Sequence, residues 1–252
     1  MNRYSRAAAV AGVVGVVGML LGAGAGASAG AEGGGVWGAA VIAPGREGIV
    51  EVAGYPGAGA TLTLTAPRGA RVTGTPLDVS GYRGSVAADG RSGRYTVTGA
   101  AAGQAWRGRT FPFVLAVPAG AVPGTRLRGC ELRITDARGV RRASGRCAVT
   151  VGLAGPTLTR PLSGVPLHAR PEISGHAHPG AQVTVRDKDE REACATTAAR
   201  DGTWACTPAP ALPAGANRLQ AVATLNGVSA MSEQIDIAVT GDGRVMAAGA
   251  GQ

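Results

Sequence analysis

The chain has 252 residues, 25 basic and 16 acidic side chains, a formal net charge of +9, and 42 glycines with 15 prolines. That much glycine and proline excludes a fold built on long helices. Two Phe, three Trp and four Tyr exclude an aromatic-rich core, so any core must be aliphatic, anchored by Trp37, Trp106, Phe111, Phe113 and Trp204.

At the N-terminus Arg3 and Arg6 precede a run over residues 7–21 that is apolar or glycine throughout, and no charge follows until Glu32. Ala27-Ser28-Ala29 and Ala29-Gly30-Ala31 then offer small-residue cleavage sites. This is the layout of a secretory signal over residues 1–29, cut near 29–31. An uncleaved anchor over residues 7–27 is the competing reading, since that run is nearly long enough to span a bilayer. Its Ala/Gly character and overlapping cleavage sites favour removal, which leaves no stable membrane anchor. The expected location is extracellular, in association with the cell wall.

Residues 34–152 form the first block. Strands are expected over 36–42, 48–52, 61–65, 94–98, 110–117, 130–135 and 142–151, with shorter ones at 77–79 and 85–87. Thr61-Leu62-Thr63-Leu64-Thr65 alternates, so Leu62 and Leu64 should face a core. Short apolar runs rich in Val, Thr, Leu and Ile, broken by turns every eight to fifteen residues, give the rhythm of a β-sandwich. Cys130 and Cys147 lie equally far from the middle of Arg138-Gly139, so a two-residue turn there would set them opposite each other. Cys130, Leu132 and Ile134 would then share the inner face, and Glu131, Arg133 and Thr135 the outer.

Residues 153–166, with three prolines, read as a linker. Residues 167–240 form a second block, with strands expected over 172–176, 182–186, 193–198, 203–207, 217–225 and 233–239. Cys194 and Cys206 flank Arg200-Asp201-Gly202, and a loop of odd length or a bulge would bring them face to face. Two disulfide-stapled hairpins would use every thiol and leave none for catalysis or metal binding, in keeping with an oxidising destination. Residues 241–252 form a tail without an apolar anchor.

The runs PEISGHAHPGAQVTVRD, CATTAARDGTWACT and LPAGANRLQAVATLNGVSAMSEQIDI resemble the bacterial immunoglobulin-like (Ig-like) repeat of secreted and surface proteins. Pro171, Ile173 and Gly175 match its first strand, and Pro179, Gly180, Ala181, Val183, Thr184 and Val185 its hairpin. Asp201, Gly202 and Trp204 match the following turn and strand, and Leu212, Gly215, Asn217 and Leu219 the next segment. The resemblance covers about seventy residues and implies a sandwich acting as spacer, stalk or adhesive module. The fold expected is therefore all-β: two sandwich domains, the C-terminal one Ig-like.

Charge separates the two blocks. Residues 32–152 hold 15 arginines against 7 acids, a balance of +8, whereas residues 153–252 hold 8 basic against 9 acidic residues, a balance of −1. Arg133, Arg138, Arg142 and Arg146 fall on the expected hairpin, with Arg133, Arg142 and Arg146 on one outer face. Such a ribbon suits an anionic cell-envelope polymer or polysaccharide. Charged residues on an edge hairpin also prevent edge-to-edge pairing, so a solvated protective face is the alternative. Stacking aromatics are missing from the hairpin, which argues against specific nucleic-acid recognition.

No catalytic constellation is assigned. His168, His176 and His178 are the histidines; with Glu172 two of them suggest a metal site but supply no third well-placed ligand. Asp187, Asp189, Glu190 and Glu192 lack the glycine and spacing of a calcium loop and read as a hairpin turn. No nucleophile elbow surrounds a serine. The expectation is a secreted noncatalytic module of the cell envelope, with no cofactor and no metal. A purely structural spacer and a hydrolase with a dispersed site are the alternatives, and the sequence sets no oligomeric state.

Overall fold

The computed structural model describes residues 35–54, 56–99 and 110–240. The signal segment, Trp106 and the C-terminal tail lie outside the described residues. Every regular element within them is a strand.

The first sandwich contains β1 (Trp37–Ile42), β2 (Glu47–Ala53), β3 (Thr61–Thr65), β4 (Arg71–Gly74) and β5 (Tyr82–Val86). It continues with β6 (Ser92–Val97), β7 (Phe111–Ala116), β8 (Arg126–Leu127), β9 (Glu131–Thr135) and β10 (Arg141–Val151). One ladder runs β4-β7-β2-β1-β10-β9-β3-β6-β5, with β8 also on β10. All pairs are antiparallel except β1 with β10. The ladder folds over itself, because its apolar positions alternate with period two and must be covered. Leu62, Leu64, Leu132, Val50 and Val52 all point into the resulting core. Tyr95 on β6 closes the two layers: its hydroxyl donates to the Pro112 carbonyl on β7 (2.6 Å) and accepts from the Leu77 amide (3.0 Å). Its ring lies 5.6 Å from that of Phe111 and 5.0 Å from that of Phe113, within the range where tilted and edge-on rings attract.

Three local expectations change here. Residues 77–79 form no strand; the Leu77 amide is taken up by Tyr95 instead of a ladder. β4 and β8, too short to show a period, carry no sequence signal. The turn at the tip of β9 and β10 has three residues rather than two. Gly139 donates to the Asp136 carbonyl and the Asp136 amide to the Val140 carbonyl, with Gly139 at φ 79°. A register shift between Arg141 and Ala143 compensates, so that Cys147 still falls opposite Cys130.

The second sandwich contains β11 (Thr157–Arg160), β12 (Pro166–Leu167), β13 (Ile173–His176), β14 (Gln182–Arg186) and β15 (Glu192–Thr197). Then follow β16 (Thr203–Cys206), β17 (Gly215–Leu225), β18 (Val228–Met231) and β19 (Ile235–Val239). One sheet has the order β11-β13-β16; the other runs β12-β19-β17-β14-β15, with β18 also on β17. The first strand pair, β11 and β12, is divided between the two sheets. With the β13-β16 and β19-β17-β14 neighbours, this is the Greek key of an immunoglobulin-like sandwich. Ile173, Val183, Val185, Leu219 and Trp204 fill its interior. Gly175 is required by a close approach: a Cβ there would lie 1.8 Å from the Thr157 carbonyl oxygen and 2.9 Å from the Trp204 ring.

The segment expected as a linker belongs instead to this sandwich. Leu153 is buried in its core and Thr157–Arg160 is β11. Prolines bar a segment from the centre of a ladder but not from an edge or from the first position of a strand: Pro156 and Pro161 flank the edge strand β11, and Pro166 opens the edge strand β12.

Both disulfides form with the pairing expected from spacing, Cys130–Cys147 with Cα atoms 5.2 Å apart and Cys194–Cys206 with 6.0 Å. They differ in kind. Cys130–Cys147 staples strands that are already paired. The turn at Asp201-Gly202 is hairpin-like, but β15 joins β14 and β16 joins β13. Cys194–Cys206 therefore ties one sheet to the other at their open edges, and is not a hairpin staple.

Candidate functional site on an arginine-rich sheet face

The outer surface of the β5-β6-β3-β9-β10 layer carries the charge. Register places residues in three rows across it. The first reads Arg83, Thr96, Thr61, Thr135, Arg141; the second Ser85, Arg94, Thr63, Arg133, Ser144. The third reads Ser92, Thr65, Glu131, Arg146, Trp37. Partners in a row share a face, and strands lie about 4.8 Å apart, so Arg94 and Arg133 stand about 10 Å from each other across Thr63. The threonines are half-buried to exposed and the five arginines exposed. The Thr61 and Thr96 hydroxyls share a hydrogen bond of 3.2 Å, which helps hold the floor between the charges.

None of Arg83, Arg94, Arg133, Arg141 and Arg146 forms an ion pair among the described residues. Glu131 is the one acid in the rows. Arg133, Arg141, Arg146, Glu131 and Ser144 line a shallow groove of about 200 Å³ with Leu132 and Gly145. Guanidinium groups left in water on one sheet face are suited to bidentate contact with phosphate, sulfate or carboxylate.

The four arginines singled out in the sequence divide. Arg133 and Arg146 lie in the rows. Arg142 does not contribute: Asp136 Oδ2 accepts its Nε at 2.9 Å and its Nη2 at 2.6 Å. The reason is the register shift, which makes Arg142 the extra residue beside the turn. Asp136 Oδ1 also accepts the Arg138 and Val140 amides, both at 2.9 Å. The Val140 amide foremost, then the Arg142 side chain and the Arg138 amide, hold this carboxyl below the usual carboxylate range. Arg138 sits at the turn tip, off the rows. Arg141, which the sequence places on the hairpin, joins the face, and Arg83 and Arg94 come to it from β5 and β6. The alternation of β6 already turns Arg94 outward, but the neighbours that assemble the face come from β3, β9 and β10 at large sequence separation.

The histidines do not gather into a site. His176 ends β13, His178 Nδ1 lies 2.9 Å from the Pro179 carbonyl, and His168 Nδ1 accepts the Arg170 amide at 3.2 Å. Among the described residues no three His, Cys, Asp or Glu side chains converge on a point that could hold a metal ion. The acidic run at residues 187–192 is a turn, in which Asp187 Oδ1 accepts the Asp189 and Arg191 amides at 2.9 and 3.0 Å. Asn217 fastens that turn to β17, its Oδ1 accepting the Lys188 amide at 3.0 Å. Asp201, like Asp136, has its carboxyl held low, here by the amide and then the hydroxyl of Thr203.

No family model matches the sequence, and no curated protein does. Several solved structures are similar at low identity. The major pilin subunit of Bacillus cereus is 12% identical over 81% of this chain and 66% of its own, with a TM-score of 0.33. A BSP domain of a biofilm-associated protein is 17% identical over 81% of this chain and 30% of its own, with a TM-score of 0.30. A cohesin, the third of ScaC from Acetivibrio cellulolyticus, is 12% identical over 46% of this chain and 98% of its own, also at 0.30. The chain thus spans less than two thirds of the first two.

Proposed function

We propose that the protein is an exported, noncatalytic envelope module whose first sandwich holds an anionic polymer on its arginine-rich sheet face. The observation that carries this reading is the row arrangement: five arginines without an ion pair among the described residues, and one acid, on one sheet face. The charge asymmetry of the blocks, +8 against −1, supports it, because like charges are gathered on one unit despite their mutual repulsion. Both disulfides suit the oxidising compartment that export implies. The Ig-like sandwich serves as the spacer that presents the face.

The test is retention of the purified protein on isolated envelope material at graded salt. Retention that fades between low and physiological ionic strength is expected, since exposed charges are screened over about 10 Å. Arg94, Arg133 and Arg146 together changed to Glu should abolish it with the melting temperature nearly unchanged. Arg142→Glu is the control, because that arginine is already occupied by Asp136. Unchanged retention by the triple variant would assign the arginines to a solvated surface and leave the protein a structural spacer.

A further inference from the structure

Trp37 stands at the end of the third row, opposite Arg146 on β10 and Ala53 on β2. It keeps 37% of its surface exposed, whereas Trp204 keeps 4%. Its outward neighbours Ala39 and Ala53 are small, and the carboxylate of Glu51, which stands diagonal to it on β2, accepts the Thr110 hydroxyl, so part of the indole stays open. An arginine one strand spacing away, about 4.8 Å, shares its face. A partly exposed apolar ring beside a cation with no ion pair among the described residues is a two-part surface: flat and apolar, then positive.

We infer that the polymer held by this face is an acidic polysaccharide, one sugar ring lying on Trp37 while its anionic substituent meets Arg146. The inference rests on the reading under Proposed function. A polyphosphate or a simple polyol-phosphate chain matches the arginines but has no apolar ring face, and would leave Trp37 unused. A single-stranded nucleic acid has ring faces, but its binding uses successive aromatics along the strand, and the rows supply one. A saccharide with a carboxylate or sulfate on each ring presents a hydrocarbon face and a charge on the same unit, in the order that Trp37 and Arg146 display.

The full chain is titrated with three probes at fixed salt: alginate, inorganic polyphosphate and single-stranded DNA. Trp37→Ala should weaken alginate binding by roughly fivefold to tenfold, the effect of about 1 kcal/mol of lost ring contact. Polyphosphate binding should stay within about twofold on the same energy scale. Trp37→Phe, which keeps a ring, should restore most of the alginate affinity. The reversal of Arg94, Arg133 and Arg146 should abolish binding of both. Alginate binding that ignores Trp37→Ala, or a parent that binds polyphosphate but not alginate, overturns the saccharide assignment and leaves the anionic-polymer reading standing. Equal sensitivity of DNA binding to Trp37→Ala assigns the ring to nucleobases and also overturns it. A parent that binds none of the three overturns both.

Discussion

The side-chain amide of Asn226, at the turn between β17 and β18, donates a 3.1 Å hydrogen bond to the Pro123 carbonyl of the first sandwich. The contact depends on the absence of a side chain on the next residue. A Cβ on Gly124, which sits at φ 84°, would lie 2.5 Å from the Asn226 carbonyl oxygen. Asn226 is itself at φ 49°, a conformation that glycine adopts freely. Asn226→Gly should therefore keep the turn and delete the amide bond, at a cost of about 1 kcal/mol. Small-angle scattering should show a larger maximum dimension for the variant. An unchanged profile would mean that the Asn226 amide bond does not set the angle between the sandwiches.

The second sandwich should fold alone if it starts at Leu153. A fragment of residues 153–240 keeps a leucine that is 7% exposed in that core, whereas one starting at Pro156 loses it. The longer fragment should be more stable by about 1.5–3 kcal/mol. Denaturant melts of the two, produced in an oxidising compartment, decide this; equal midpoints would return residues 153–155 to a linker.

Burial pushes the Tyr95 hydroxyl up to about 12 from its ordinary 10.0. The folded chain therefore keeps a proton that the unfolded chain releases first. This stability is fully present below pH 10 and is lost as pH rises toward 12; two pKa units correspond to about 2–3 kcal/mol. Tyr95→Phe should remove that alkaline dependence. It should also cost about 1–3 kcal/mol at neutral pH, since the Leu77 amide is left buried without a partner. Melts from pH 8 to 12 on parent and variant test it, and parallel curves would refute the role of Tyr95.

The two disulfides should behave differently when removed. Each closes a short loop worth about 3 kcal/mol in the chain-entropy account. Replacing Cys130 and Cys147 by alanine leaves the β9-β10 ladder to hold the strands. Replacing Cys194 and Cys206 frees two edges that share no ladder, so amide exchange should accelerate on β15 and β16 in that variant alone. Comparable exchange in both variants would count against the distinction.

Three hairpin turns share one pattern, with the third loop residue at positive φ: Gly139 at 79°, Gly202 at 85° and Glu190 at 59°. For a residue with a Cβ that conformation costs about 1–2 kcal/mol. Glu190 also pairs with Arg218 at 3.0 Å and Arg186 at 4.0 Å, but exposed pairs contribute about 0–1 kcal/mol each. Backbone relief should balance or outweigh lost pairing, so Glu190→Gly should be neutral or stabilising by up to about 1 kcal/mol. A clear loss of thermal stability would show that the pairs dominate. Glu190→Gln separates the two effects.

Period-two alternation told which way residues face: Leu62 and Leu64 inward, Arg133 and Thr135 outward, Trp204 buried. Local spacing also set the partner of each cysteine, and the Asp-Gly and Asn-Gly steps marked turns, because turn chemistry acts within a few residues. Which strands lie side by side was decided only by the tertiary structure. Backbone hydrogen bonds are the same for every residue pair, so a strand's sequence records its face but not its neighbour. That is why Arg83 and Arg94 joined the hairpin arginines unannounced, and why Arg142, displaced by one register shift, left them for Asp136. It is also why Cys194 and Cys206, close in sequence around a turn, ended in different sheets. The proline-rich stretch became β11 and β12 for a related reason: a sandwich edge needs only half of a ladder, and proline can supply that half.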